Sequence, residues 1–579
     1  MPNNAIIAVD LGATYMSIAI QTESNDITLI SNEENETYIC SCFGYIENNV
    51  VKYDAAKQQL STNPNNTIIN YKLLCYHDNT NVICYIPDNK YTLEKIYDEL
   101  LNIIKNLVKS YNILEIIFTV QIQFSIKYRE LLMKTAISKG FNNVSFINVT
   151  SACAYIYYKN IKNTSSNILI FDLGANNLNA SIIAIDKNQI TVKAAINNII
   201  LGYEFDNCII KYIIDKLNLN NIDNKTIAKI MLLAENTKKI LTTSDTTSID
   251  LETLNIINKY IVLTKSDFND LCYNIYNKIN NILDELLLNS TLKNNDINEI
   301  ILLGGNSKIP KIKEILKLYF SNANIITSIT KEDVVKGALI YKKMSDITLN
   351  DINTFIYGVK VDDDTIDIFI NKNTHIPFSV SHKINNKYDT IKIVESYSSS
   401  LKDSILINTI NISNLQSINN LMFSFTLDSN CLLHYSDIDA YRLLLISKLE
   451  DIKERVKFNN TIIKEIICDE IINIYLWIEY NNLTSKEYLN KIYELEMFYI
   501  NTIENTSSSS SSSSEEILNN TIHNNHIIPS CNYDYTYTPL NTDDMHISTN
   551  TILTNDIYET TSNNSSSSSI QLLDIKIEN

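Results

Sequence analysis

Two copies of one short phrase hold the residues best suited to chemistry. Ala8–Ala13 reads AVDLGA and Ile170–Ala175 reads IFDLGA, so each apolar run ends in an aspartate with a glycine two residues later. The chain has only nine glycines in 579 residues, whereas an average usage of about 7% would give about 40. A backbone without a Cβ can approach a phosphate closely, and glycine permits the positive φ of tight turns. The repeated phrase therefore predicts a duplicated phosphate clamp with one aspartate beside each turn.

A third glycine turn follows another apolar run. Glu299–Leu303 reads as a buried strand that ends at Gly304–Gly305. Beyond Pro310, apolar residues recur at the spacing of one helix face, namely Ile312, Ile315, Leu316 and Tyr319. The order of strand, glycine turn and helix is the setting that a nucleotide-binding loop needs.

These turns require a scaffold that alternates strands with helices. Residues 1–343 supply one, because β-runs and helical stretches alternate there as in an α/β domain. We predict an interdomain linker over 344–353, a β-rich domain over 354–446 and helices over 447–505. The remainder, 506–579, is rich in serine and asparagine and is predicted to be disordered.

Charge and composition argue against several classes of function. The formal net charge of -18, from 48 basic and 66 acidic residues, disfavours direct DNA binding and attachment to an anionic membrane. No apolar stretch reaches the roughly 18 residues that span a bilayer, and no secretory signal is evident, so we expect a cytoplasmic protein. The ten cysteines are scattered without a Cys-x-x-Cys motif, which favours buried, reduced thiols over a zinc site.

Longer stretches are more specific than the glycine turns. They include NPNNTIINYK at Asn63–Lys72, LGYEFD at Leu201–Asp206, AENTKKILT at Ala234–Thr242 and GGNSKIPKI at Gly304–Ile312. Their order and spacing resemble the heat-shock protein 70 family of the actin-like ATPase superfamily, over roughly residues 1–503. The resemblance implies a two-lobed α/β actin-like ATPase domain, then a β-sandwich peptide-binding domain, a helical lid and a disordered tail.

The resemblance also implies which residues hold ATP or ADP. Asp10 and Asp172 would orient the waters of a bound Mg²⁺, and Lys72 would stabilise the attacking water and the transferred phosphoryl group. The residues expected to bind the nucleotide are Gly12, Ala13, Thr14, Tyr15, Gly174, Ala175, Asn176, Gly202, Glu235, Lys238, Lys239, Thr242, Gly304, Gly305, Asn306 and Lys308. Lys308 stands where the family stacks an arginine on adenine, and a lysine lacks that planar group, so we expect weaker adenine affinity.

Several positions depart from the pattern of the family at the chemical centre. In the loop at Gly12, Ala13 replaces a threonine of the family, and in the loop at Gly174, Asn179 replaces an aspartate. Val149 and Thr150 stand in place of a Glu-Pro pair. Gln121 stands in place of a proline that relays the nucleotide state in the family. In the second loop Asn176 tolerates a left-handed backbone, whereas Ala175 would adopt it at a cost of about 1–2 kcal/mol. Losing one well-placed electrostatic group typically slows a reaction by about 10²–10³, so we expect slow or absent hydrolysis with nucleotide binding retained.

Two classes of function remain open. The first is an ATP-binding chaperone that binds unfolded or nascent polypeptides and works with a J-domain co-chaperone; it is favoured by Lys72, Asp10 and Asp172. The second is a non-hydrolysing co-chaperone or scaffold, of the ribosome-associated or nucleotide-exchange type, acting on a true chaperone; it is favoured by Ala13, Val149, Asn177 and Asn179. A sugar kinase is a distant third, because the β-rich domain and the helices after it have no place in one.

Overall fold

The computed structural model describes residues 3–437, isolated positions between 445 and 474, and residues 485–507. The internal gaps before residue 437 are 25, 48, 73–91, 161–164, 199–200, 257–258, 362–364, 386–389, 399–403 and 412–419. The described residues divide into two compact units, one that runs to Ser436 and one that begins at Asp437.

The first apolar run forms a strand at the centre of a six-stranded sheet. The elements of this lobe are β1 (Asn3–Leu11), β2 (Tyr15–Thr22), β3 (Ile27–Leu29), β4 (Ile39–Cys40), β5 (Phe43–Ile46), β6 (Asn49–Lys52), α1 (Tyr53–Gln59), β7 (Thr67–Ile68), α2 (Leu93–Leu107), β8 (Tyr111–Val120), α3 (Ile126–Ser138), β9 (Val144–Asn148) and α4 (Val149–Asn160). The main sheet has the order β3-β2-β1-β8-β9 with β4 on β2, and β6-β5-β7 form a small separate sheet. β1 pairs antiparallel with β2 and parallel with β8, and its last five residues, which alternate between the two faces of the sheet, are all buried.

The second apolar run repeats this arrangement in a seven-stranded sheet. Its elements are β10 (Ser166–Leu173), β11 (Leu178–Asp186), β12 (Gln189–Asn198), α5 (Leu201–Leu217), α6 (Asn224–Leu241), β13 (Thr246–Asp250), β14 (Tyr260–Thr264), α7 (Lys265–Leu271), α8 (Tyr273–Ser290), β15 (Glu299–Leu303), α9 (Pro310–Tyr319), β16 (Asn324–Ile326), α10 (Lys331–Lys343) and β17 (Thr348–Ile352). The order is β16-β15-β10-β11-β12-β17, with a short seventh strand (His375–Ile376) beside β17, and β13 and β14 form a separate hairpin. Like β1, β10 has an antiparallel partner, β11, and a parallel partner, β15. Asp10 and Asp172 therefore lie at equivalent strand ends of the two lobes.

Helices α4 and α10 cross closely and join the two lobes. A Cβ on Gly337 of α10 would lie 2.1 Å from the backbone oxygen of Ala152 in α4. Only glycine permits this approach, so the position of α10 is fixed against α4. The first turn of α10 is fixed as well, because Thr330 and Asp333 form a capping box at its start.

The segment predicted as a linker contains a strand. β17 pairs in parallel with β12, and the short strand β20 (His375–Ile376) pairs with β17 on its other side. The buried carboxylate of Asp351 accepts hydrogen bonds from Asn148 Nδ2 (3.1 Å) and Ser151 Oγ (2.6 Å). Burial raises the pKa of Asp351, and these bonds oppose that shift. Backbone pairing at a sheet edge is a long-range contact, so local composition did not predict it.

The remaining strands of this unit form two sheets around one apolar core. They are β18 (Ile356–Lys360), β19 (Ile366–Ile370), β21 (Phe378–Asn385), β22 (Thr390–Ser396), β23 (Ser404–Asn411), β24 (Asn420–Leu427) and β25 (Leu433–Asp437). Their orders are β19-β18-β22-β23 and β21-β24-β25. The rings of Phe369 and Phe425, one from each sheet, stack with centroids 3.8 Å apart. A peptide-binding β-sandwich over 354–446 stays a prediction.

These strands also contact α3 of the first lobe. The carboxylate of Glu395 accepts hydrogen bonds from Ser125 Oγ and from the backbone nitrogen of Ile126 (3.2 Å). Arg129 Nη1 donates to the backbone oxygen of Asn430 at 3.2 Å. Glu395 is fully buried, and burial raises its pKa to about 7 against the opposing effect of these bonds. A buried carboxyl group therefore lies at this contact.

In the second unit the structure describes one long helix, α11 (Ser485–Ser507). Most of the predicted lid, 447–505, lies outside the described residues, as does the predicted disordered tail after residue 507. None of the helices in the described part of the chain is both long enough and apolar enough to span a membrane.

Candidate functional site

A cavity of about 1140 Å³ opens where β1, β10 and β15 end. Every predicted site residue except Gly202 lies on its wall: Asp10, Gly12, Ala13, Thr14, Tyr15, Lys72, Asp172, Gly174, Ala175, Asn176, Glu235, Lys238, Lys239, Thr242, Gly304, Gly305, Asn306 and Lys308. The parallel strands of both sheets bring their carboxyl ends to this place, where ligands of α/β folds commonly bind. Gly202 lies directly behind the wall, as the contacts of the second loop show.

The glycine turns at Gly174 and Gly304 interlock with the first turn of α5, which holds Gly202, at one end of the cavity. Gly304 has φ +84°, and a Cβ there would lie 2.2 Å from the backbone oxygen of Leu173. A Cβ on Gly202 would lie 2.3 Å from the oxygen of Gly174. Asn306 Nδ2 ties these turns together by donating to the backbone oxygens of Gly174 (2.8 Å) and Gly202 (2.9 Å). The turns therefore act as one rigid backbone surface, which is suited to close contact with a phosphate.

The loop at Gly174, called the second loop here, closes without placing Ala175 or Asn176 in the left-handed backbone conformation. Gly174 N donates to the oxygen of Asn177 at 2.8 Å, and Gly202 N donates to the oxygen of Asn176, also at 2.8 Å. Neither Ala175 nor Asn176 has a positive φ. The left-handed conformation considered from the sequence is therefore not adopted, because the turn is closed by these bonds instead.

The first loop is held by a neighbouring serine. A Cβ on Gly12 would lie 2.1 Å from the oxygen of Tyr15, so the turn is as tight as predicted. Ser41 Oγ donates to the oxygen of Gly12 (3.0 Å), and Ser41 N donates to the oxygen of Thr14 (2.9 Å). The Tyr15 ring stacks on Tyr38 with centroids 4.5 Å apart, and both rings line the cavity.

The two aspartates share one cation that the sequence did not reveal. Lys331 Nζ lies 2.6 Å from Asp172 Oδ2 and 3.9 Å from Asp10 Oδ2. Asp10 Oδ1 also accepts a hydrogen bond from Thr119 Oγ1 at 2.9 Å. Burial acts to lower the pKa of Lys331, but Asp172 and Asp10 outweigh it and raise that pKa above its usual value. The lysine is therefore charged at neutral pH.

Amide and aliphatic side chains surround this ion pair. Asn179 Nδ2 lies 3.5 Å from Asp172 Oδ2, and Asn179 Oδ1 accepts from the backbone nitrogen of Ile122 at 3.4 Å. Further positions of the wall nearby are Gln121, Val149 and Asn177. Lys72 is nearly buried, with 9% exposure. An amide or alkyl group cannot remove a proton from water, so a general base at this end would have to be one of the carboxylates that face Lys331.

The other end of the cavity is lined by ion pairs. Glu235 of α6 in the second lobe contacts both Lys57 and Lys239 at 2.7 Å, and Lys57 belongs to α1 of the first lobe. Burial acts to raise the pKa of Glu235, but the two lysines outweigh it and lower the pKa to about 2. Lys238 pairs with Asp206 at 2.8 Å, while Lys308 is exposed. The Lys57–Glu235 pair thus links the lobes beside the cavity, whose wall includes Glu235.

Comparison with known proteins identifies the family. The family model described as Hsp70 protein matches residues 6–440. This chain belongs to the Hsp70 family. Similar relatives include the chaperone protein DnaK of Mycoplasma mobile, 25% identical over 468 residues that cover 76% of this chain and 77% of the relative. Others are heat shock 70 kDa protein 2 of Paracoccidioides lutzii (22%, covering 75% and 74%) and heat shock cognate 70 kDa protein 3 of Dictyostelium discoideum (23%, covering 75% and 78%).

Membership of the Hsp70 family confirms the resemblance drawn from the sequence. The two sheets with their flanking helices fit the actin-like ATPase domain of that family. Hsp70 proteins in general bind ATP or ADP with Mg²⁺. The predicted roles of individual site residues in this chain remain predictions, although the cavity brings nearly all of them together.

The residues present fit a magnesium ion poorly. Mg²⁺ takes oxygen ligands and keeps several waters, so it needs room between the carboxylates that orient those waters. Here the ammonium of Lys331 already lies against Asp172 and near Asp10. Asp172 Oδ1 is buried and has no hydrogen-bond partner among the described residues, but a metal approaching it would meet the charge of Lys331.

Proposed function

We propose that this chain is an ATP-binding molecular chaperone of the Hsp70 type whose ATP hydrolysis is slow or absent. The observation that carries the proposal is the interlocked set of glycine turns around Asn306, which offers closely packed backbone at one end of a large cavity. The volume of about 1140 Å³ exceeds the range of about 300–1,000 Å³ that is usual for small-ligand sites. A nucleoside triphosphate is the ligand class that this size and this backbone surface favour.

The cavity suits the two ends of such a ligand differently. Its glycine turns and Lys331 would receive phosphates, which bind well to exposed backbone amides and cations. The positions predicted to receive adenosine, Glu235, Lys239 and Lys308, line the other part of the wall. Lys308 offers a point charge without a plane to stack on a base, so selectivity for adenine over guanine is expected to be modest.

Slow hydrolysis follows from what surrounds Asp10 and Asp172. The family positions that carry carboxylates are filled here by Asn179 and Val149, which line the same cavity. Each lost electrostatic group typically costs about 10²–10³ in rate. Binding depends on backbone and cations instead, so it is expected to survive these losses.

As a chaperone, the protein would bind unfolded or nascent polypeptides through the two sheets between 354 and 437. An extended peptide can add main-chain hydrogen bonds to a sheet edge and place side chains in a pocket. A J-domain co-chaperone and a cytoplasmic location are part of this proposal. The second candidate, a non-hydrolysing co-chaperone or scaffold for another chaperone or the ribosome, is favoured by Asn179 and Val149 in place of acids.

The first test is calorimetric ATP binding to the full chain and to a matched pair of variants. Ala13→Glu places a negative charge in the first loop, on the wall of the cavity, and should lower ATP affinity by at least about tenfold. Ala55→Glu adds the same charge on the exposed face of α1 and should leave affinity unchanged. Equal affinities for the two folded variants would refute this cavity as the ATP site.

A second measurement separates the two candidate functions. A chaperone should bind a fluorescent, extended apolar peptide and change that affinity when ATP is added. A scaffold should bind no such peptide and should instead form a complex of fixed stoichiometry with a purified chaperone or with ribosomes. Peptide binding that responds to ATP would therefore reject the scaffold.

A further inference from the structure

Lys331 lies at a helix N-terminus, where a positive charge is normally unfavourable. It is the first residue of α10, directly after the capping residue Thr330. The N-terminus of a helix carries partial positive charge, so a cation there is disfavoured unless other groups attract it. Asp172 and Asp10 supply that attraction, from strands that lie far from Lys331 in the sequence. The contact is therefore a tertiary feature of the cavity.

We propose that the ammonium of Lys331 serves as the resident cation of the phosphate end, so that this chain binds its nucleotide without a divalent metal. The inference rests on the proposed function, because it concerns how the same cavity holds ATP. It assigns to Lys331 the role of a positioning and charge-balancing residue.

Charge balance makes a cation necessary here. Two carboxylates lie where the phosphate tail of the nucleotide would enter, and like charges in a partly buried site repel strongly. A lysine ammonium has three donors, so it can contact Asp172, face Asp10 and still offer a hydrogen bond to a phosphate oxygen. Lysine binds phosphate as a point charge in other nucleotide sites.

The same geometry leaves a divalent ion in direct competition with the lysine. Only 17% of the Lys331 side chain is exposed. The backbone that carries it is fixed by the capping box of Thr330 and by the contact of Gly337 with Ala152. A hydrated metal between the aspartates would have to displace a buried ammonium whose charge repels it.

The test measures binding of ATP to the full chain by calorimetry, once with excess Mg²⁺ and once with excess EDTA. For the native chain we expect the two affinities to agree within about threefold. Lys331→Met should bind ATP at least about tenfold more weakly in EDTA and recover part of that loss with Mg²⁺. Lys331→Arg keeps the charge and should again bind ATP in EDTA.

The outcomes distinguish the role inferred for Lys331 from the proposed function, which is ATP binding. If the native chain binds ATP only when Mg²⁺ is present, Lys331 is not the resident cation, although the proposed function stands. If the native chain binds ATP in neither buffer, the proposed function itself is wrong. The native chain alone decides both points, so a folding defect in Lys331→Met would not prevent the test.

A readout without nucleotide comes from electron paramagnetic resonance of Mn²⁺. The native chain should show no tight Mn²⁺ site that depends on Asp172, because Lys331 neutralises that carboxylate. Lys331→Met frees both carboxylates and should gain one. Tight binding of one Mn²⁺ to the native chain, lost in Asp172→Asn, would overturn the inference.

Discussion

Replacing Gly304 by alanine tests the interlocked turns most sharply. The backbone of Gly304 has φ +84°, a conformation that costs an alanine about 1–2 kcal/mol. The new Cβ would also lie 2.2 Å from the oxygen of Leu173 and 2.8 Å from the nitrogen of Gly174. Both neighbours are backbone atoms, so relief requires the second loop itself to move, and overpacking of this kind typically costs about 1–3 kcal/mol. Together these effects predict a loss of about 2–5 kcal/mol in the free energy of unfolding.

The adjacent glycine provides a matched control with the opposite sign. Gly305 has helical dihedral angles, φ -66° and ψ -40°, and nothing lies within 4 Å of a Cβ built there. Alanine fits this conformation and restricts the unfolded chain, so Gly305→Ala should stabilise the protein by about 0.4–1 kcal/mol.

Urea unfolding of the full chain and both variants, followed by circular dichroism, measures the two changes. We expect the unfolding midpoint of the lobe that contains the glycine turns to fall for Gly304→Ala and to rise slightly for Gly305→Ala. Equal midpoints for the two variants would show that Gly304 does not pack against Leu173, and the reasoning about the interlocked turns would be wrong.

Two further predictions concern the contacts between parts of the first unit. Glu395 has a folded pKa of about 7 against an ordinary value of 4.5, so its contribution to stability is complete below pH 4.5 and is lost as the pH rises through 7. Glu395→Gln should remove up to about 3 kcal/mol of the pH dependence of the free energy of unfolding, measured by urea unfolding at several pH values. The prediction is wrong if this free energy depends on pH in the variant as steeply as in the native chain. Lys57→Met removes the ion pair with Glu235 that links the two lobes and should speed nucleotide release several-fold in stopped-flow measurements. An unchanged rate would mean that the pair does not restrain the lobes.

The strands and turns of the site could be predicted because their signals are local. An apolar run that ends in Asp-Leu-Gly indicates a buried strand followed by a turn, and Asp10 and Asp172 do lie at the ends of β1 and β10. Gly304 likewise ends β15 with a positive φ, as the strand–glycine–helix order suggested. These features depend on a few neighbouring residues, so they are readable in a single sequence.

What the sequence did not reveal depends on contacts between distant residues. Lys331 lies 159 positions after Asp172, and nothing near it signals an ion pair. The strand β17 was read as a linker because its pairing with β12 is likewise a long-range contact. The backbone of Ala175 could not be predicted either, since the loop is closed by Gly174 and by Gly202.

The most direct test of the central claim is single-turnover ATP hydrolysis beside ATP binding, on the full chain and on Lys72→Ala. Lys72 is the residue that the family pattern places beside the attacking water, and it lines the same cavity as the two aspartates. The account predicts that the native chain binds ATP in a 1:1 complex and hydrolyses it slowly or not at all, with any residual turnover lost in Lys72→Ala. Turnover that is readily detected in the native chain and abolished in Lys72→Ala would contradict it.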